Sequence, residues 1–177
     1  MSSFRLAFVL SLLLTLQACG FQPLYQRDQS DTTVGAGNRL ETIRVRPIAH
    51  RVGQELRNYL YDALTPKGQP ASPEWELNVK LSETIEQIAL EQTAFSTRAN
   101  LTLKAVYSLT PVVGGDSTSG AEKTGHQGTA HATGSYNILD SEYATLVAER
   151  DARARAVQVL SDDIRRQLAI WFNSLQP

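Results

Sequence analysis

Three stretches of the chain alternate apolar and polar residues with a period of two. Trp75, Leu77, Val79 and Leu81 alternate with Glu76, Asn78, Lys80 and Ser82. That period predicts a strand with one buried face. After Ile85 the apolar parity moves to Ile88 and Leu90. A one-residue shift turns the buried face over, so a bulge is expected near Glu86 and Gln87. Ala99, Leu101, Leu103, Ala105, Tyr107 and Leu109 make a second alternating row, which predicts a hairpin with the first. Ala130, Ala132, Gly134, Tyr136 and Ile138 make a third, with small inward residues that let a helix approach closely. A shorter alternation over residues 40–48 places Ile43 and Val45 opposite Arg44 and Arg46, and Pro47 closes it.

Two segments follow the helical period. Val52, Leu56, Tyr59, Leu60 and Ala63 recur at helical spacing from His50. That is an amphipathic helix of about four turns, ended by Thr65-Pro66-Lys67-Gly68. Asp140 is the expected N-cap of a second helix running to about Ser174, with Glu142 in its first turn. Tyr143, Val147, Ala154, Val157, Ile164 and Leu168 mark its apolar side. At 1.5 Å per residue it spans about 50 Å, more than a four-stranded sheet needs. A break near Ser161-Asp162-Asp163 is therefore expected. The order is β-α-β-β-β-α. It implies an α+β two-layer sandwich: a mixed, mostly antiparallel four-stranded sheet with both helices on one face.

The amino terminus follows neither period. Arg5 precedes an uncharged apolar run of about 11 residues, from Leu6 to Leu16. That is too short for the roughly 20 helical residues that span a bilayer, but it suits a signal peptide. The run ends in Leu16-Gln17-Ala18-Cys19, which resembles the lipobox of bacterial lipoproteins. The resemblance implies that residues 1–18 are removed and that Cys19 is lipidated on sulfur and amine. Several acyl chains, each methylene contributing about 0.8 kcal/mol, anchor a protein stably. Gly20 rather than Asp follows the cysteine, which implies onward transfer to the outer membrane of a Gram-negative cell. Residues 19–39 are polar, contain glycine and lack periodicity, as an acylated tether would. Residues 40–177 form the domain.

Composition narrows the chemistry. The chain has 17 Lys and Arg against 18 Asp and Glu, for a net charge of −1 over 177 residues. Removing residues 1–18 takes away one arginine and no acid, so the charge becomes −2. Such a domain lacks the basic excess of a nucleic-acid binder. One cysteine excludes an internal disulfide or a thiolate metal site. His126 and His131 fall on opposite faces of one strand, and neither they nor His50 belong to a metal-binding motif. The loop 115–120 has the glycine spacing of a phosphate loop, but Ala121-Glu122 stand where lysine and a hydroxyl residue are required. No nucleophile motif is present, so neither an enzyme nor a cofactor is expected.

The string Cys19-Gly20-Phe21-Gln22-Pro23-Leu24-Tyr25, followed by this element order, resembles the LPS-assembly lipoproteins of the alphaproteobacterial LptE type. The resemblance implies a plug and assembly partner inside an LptD-type outer-membrane β-barrel. It also implies binding of lipopolysaccharide (LPS) during its insertion into the outer leaflet. In relatives, basic residues near the middle strands contact LPS. Arg98 and Lys104 share one face of the third strand and are the nearest candidates, with Lys80, Arg44 and Arg46 extending a cationic strip. The alternative is an auxiliary lipoprotein of an ABC-type phospholipid or solvent transport system, which can share both anchor and sandwich.

The lipidation reading has a direct test. Cys19→Ala is expected to yield a soluble or signal-retaining form without acyl mass. A variant still triacylated by intact-mass measurement would exclude Cys19 as the attachment site.

Overall fold

The computed structural model describes residues 36–88, 98–112 and 124–175. Its elements are α1 (Ala36–Leu40), β1 (Ile43–Val45), α2 (His50–Leu64), β2 (Trp75–Ile88), β3 (Arg98–Pro111), β4 (His126–Asn137) and α3 (Glu142–Ser174). The sheet order is β1-β2-β3-β4. β1 and β2 run parallel, with α2 as their crossover, and the other pairs are antiparallel. This is the α+β sandwich that the periodicity predicts. The short helix α1, which packs against α3, is not announced by any sequence pattern.

The alternation decides which face is buried. Every odd residue of β3 from Ala99 to Leu109 is buried, and on β4 Ala130, Ala132, Gly134 and Tyr136 face the same layer. Leu56, Leu60 and Leu64 of α2 meet Val157, Leu160, Ile164 and Leu168 of α3 in one core. The buried stripe of α2 also includes Gly53, while Tyr59 lies on the exposed side. At the far end of the sheet, Trp75 contacts Trp171 and Phe172 edge-on, with ring centroids 5.4 and 5.7 Å away.

Three local expectations are corrected. No bulge interrupts β2, whose register with β3 runs unbroken from Trp75↔Pro111 to Ile88↔Arg98. Beyond Leu81 the strand outruns most of the core, and Ile85 is itself exposed. With neither face fully covered, the change of parity flips nothing. The long helix is not broken at residues 161–163. Ser161 is buried there, and Asp163 bonds Arg166 and accepts from Gln167. Its N-cap is Ser141 rather than Asp140, and the Ser141 hydroxyl accepts from the Ala144 amide.

Two polar links tie α3 to the sheet. Arg153 donates through Nε and Nη2 to Glu83 of β2, the shortest contact being 2.8 Å, and through Nη2 to Glu149 at 2.5 Å. The fork matches a carboxylate in two places, and the chelated guanidinium is held more firmly protonated than usual, chiefly by its bonds to Glu83. Farther along, the Gln167 amide accepts from the Tyr107 hydroxyl at 2.8 Å and donates to the Thr129 carbonyl at 3.2 Å. Burial, with Asp163 nearby, pushes the Tyr107 hydroxyl up to about 12.

Glycine permits both close approaches. A Cβ on Gly134 would lie 2.4 Å from the Ala152 carbonyl oxygen, and one on Gly128 would lie 2.3 Å from the Tyr107 hydroxyl. Gly134→Ala is therefore expected to destabilise the fold by about 1–3 kcal/mol, the usual range for overpacking. Chemical denaturation checks this, and an unchanged midpoint would contradict the contact.

Candidate functional site

The outward face of the sheet is the site that the sequence reading nominates. The pleat sends even residues of β2 and β3, and odd residues of β4, away from the helices. These are mostly Asn, Ser, Thr and Gln. Neighbours bond across strands: the Ser135 hydroxyl donates to Asn100 at 2.7 Å, and the Thr102 and Thr133 hydroxyls lie 3.3 Å apart. The Ser82 hydroxyl donates to the Lys104 carbonyl at 3.3 Å. The face is polar with little charge, and Val106 is its exposed apolar exception.

Arg98 and Lys104 both lie on this face and are exposed. Six residues of extended strand separate their backbones by about 20 Å, so they are two contacts and not one clamp. Lys104 pairs with His131 across β4 and with Ser82 across β2. Lys80 pairs with Val106, which puts it diagonal to Lys104, at about 7–8 Å between backbones. The structure thus gathers Lys80, Lys104 and His131. Arg98 pairs with Ile88 and Asn137 at the far end, diagonal to Glu86. His131 is a member that the strand pattern alone does not place, because its neighbours depend on register.

Arg44 and Arg46 do not extend the strip as free cations. Their guanidinium nitrogens lie 3.7 and 3.1 Å from the two carboxylate oxygens of Glu76. Glu76 thus offsets one of the two positive charges on the β1 side. Cys19 and the string through Tyr25 lie outside the described residues, as does the loop 115–120. Among the described residues, no group of His, Cys, Asp and Glu is arranged to hold a metal ion.

The two strand histidines occupy different worlds. His131 faces outward beside Lys104. His126 faces inward, stacked on Trp171 with a centroid separation of 5.1 Å and an interplanar angle of 18°. Its burial disfavours the imidazolium and lowers its pKa from 6.5.

No family model matches the chain, and no curated protein matches it. Solved structures do. The chain is similar to a candidate lipoprotein of Caulobacter crescentus CB15, with 25% identity and a TM-score of 0.59 over 80% of this chain and 98% of that one. It is similar to the rare lipoprotein B of Shewanella oneidensis at 10% identity and a TM-score of 0.56, covering 76% and 98% of the two chains. A minor lipoprotein of Acinetobacter baumannii matches at 14% identity and a TM-score of 0.52, covering 75% and 93%. The sandwich is therefore a fold shared with bacterial lipoproteins.

The lowered His126 value sets a pH dependence. The unfolded chain takes up the proton near pH 6.5, while the folded chain takes it up only at lower pH. The unfolded state then binds more protons between those values, so stability falls as pH drops through this window. His126→Phe is expected to flatten that part of the stability profile, read from denaturation midpoints between pH 5 and 8. An equal slope in both proteins would remove His126 as the cause.

Proposed function

We propose that this chain is a non-enzymatic lipoprotein of the outer membrane, anchored through Cys19 and facing the periplasm. In this reading it acts as plug and assembly partner of an LptD-type β-barrel and binds LPS during insertion into the outer leaflet. The carrying observation is the string Cys19-Gly20-Phe21-Gln22-Pro23-Leu24-Tyr25 ahead of a sandwich whose fold is shared with solved lipoproteins.

The outward sheet face supports the reading on physical grounds. A barrel lumen is polar and lined by alternate strand residues. A face of Asn, Ser, Thr and Gln offers donors and acceptors to such a wall without the cost of burying unpaired charge. Lys80 and Lys104 supply a local cationic centre for a lipid phosphate, with the His131 ring beside them as a hydrogen-bonding neighbour and Arg98 as a separate contact. Charge-assisted hydrogen bonds to phosphate are about twice as strong as neutral ones, so few are needed. The domain's overall charge gives no attraction to anionic lipid, which makes these positions matter more.

Affinity capture of the acylated protein from outer-membrane extracts tests both parts. A large β-barrel with LPS is expected in the captured complex. Arg98→Glu combined with Lys104→Glu should retain the barrel but lower bound LPS severalfold at low salt. A barrel that assembles and exports LPS normally without this protein would overturn the proposal, and unchanged LPS in the double variant would remove the two residues from it.

A further inference from the structure

The helical layer carries a second surface, remote in function from the outward sheet face. Tyr143, Val147, Arg150, Ala154, Val157, Ser161, Ile164 and Leu168 follow one another along α3 at intervals of three or four, so they form one stripe. From Val157 onward the stripe is buried, in the stretch where α2 and α3 pack. Above that point it is uncovered. Tyr143 is 76% exposed and Val147 45%, with Leu146 beside them at 42%. An apolar stripe that continues beyond its covering helix is a surface in search of an apolar partner.

Its lower end opens into a groove of about 280 Å³ between α2 and α3. Val52, Tyr59 and Ala154 give the groove apolar walls, and Arg51 and Arg150 give it positive charge. Arg153 also reaches the groove, but Glu83 and Glu149 already hold it. Glu55 is the one acid of the lining, and it pairs with Arg51 at 3.5 Å. That pair is weak, because the Arg51 side chain is 86% exposed and screened by water. Arg150 is exposed and makes no ion pair with a described residue.

We propose that this groove and the uncovered stripe together bind one lipid whose phosphate head group carries a net negative charge. Arg51 and Arg150 hold the phosphate, and an acyl chain lies along Val147, Leu146 and Tyr143. Charge complementarity selects an anionic head group, and the apolar stripe selects a lipid over a free ion. The geometry has the sequence of contacts that an amphiphile presents: charge, then hydrocarbon. The inference goes beyond the barrel reading. It concerns the opposite layer of the sandwich and can be tested without a barrel.

Native mass spectrometry of the full-length acylated protein, released from neutral detergent doped with phosphatidic acid or phosphatidylcholine, tests it. Phosphatidic acid should be retained as a one-to-one adduct and phosphatidylcholine should not. Arg51→Glu with Arg150→Glu should cut that adduct about tenfold, given loss of two charge-assisted contacts. Both side chains lie at the surface, and circular dichroism checks that the fold persists. Tyr143→Ser with Val147→Asn, which keeps the arginines, should also weaken it severalfold. Lys67→Glu, an exposed charge reversal beyond the end of α2 and outside both surfaces, should leave it unchanged. Equal retention of the two lipids, an unaffected arginine variant, or full displacement by millimolar inorganic phosphate would each overturn the proposal.

Discussion

Gly134 and Ala152 meet at a distance that leaves no room for another carbon. A strand and a helix can come this close only where both present backbone or a methyl group. The inner row of β4 is accordingly Ala130, Ala132 and Gly134, and the facing turns of α3 contain Ala152 and Ala156. This approach lets one helix lie along the sheet and reach it with polar side chains. The Arg153 fork to Glu83 and the Gln167 bridge between Tyr107 and Thr129 both require it. The core, the register of helix on sheet and the clean separation of two faces all follow from that contact.

The two faces then carry different chemistry. The outward sheet face spreads hydroxyl and amide groups over a wide area and keeps charge sparse. The helical face concentrates arginine beside uncovered hydrocarbon. Pairing decides which cations count. Glu76 pairs with both arginines of the β1 side and offsets one of their two charges, and Glu83 with Glu149 offsets Arg153. Lys80, Lys104, Arg98 and Arg150 make no ion pair with a described residue, and Arg51 makes only the exposed one with Glu55.

Much of this was legible in the sequence, for a physical reason. A strand buried on one face must alternate, so β2, β3 and β4 announced themselves, and the small residues of β4 announced the close helix. The pattern misled where burial stops. Near Glu86 the strand is exposed on both sides, so parity carries no information and the inferred bulge does not exist. Ser161-Asp162-Asp163 looked like a helix break because the residues are polar. In the folded chain Ser161 is small enough to be buried, and Asp163 is bonded within the helix. The candidate site was half legible. Sharing a strand face put Arg98 and Lys104 together on paper, whereas cross-strand register puts Lys104 with Lys80 and His131. Register depends on where strands turn, and no periodicity along one strand contains that.

The position of α3 after all four strands has a consequence for how the fold is reached. The strands from Trp75 to Asn137 form an up-and-down meander whose pairings are local and close early. Their inner row has no cover on β4 until the helix arrives, and the Arg153–Glu83 link spans 70 residues. A chain that emerges amino end first must carry Leu101, Leu103 and Tyr107 as an uncovered apolar shelf while α3 is still threading out. During that interval the molecule is at its most adhesive. A holding chaperone that binds extended apolar surface would act there, before the last helix closes the shelf.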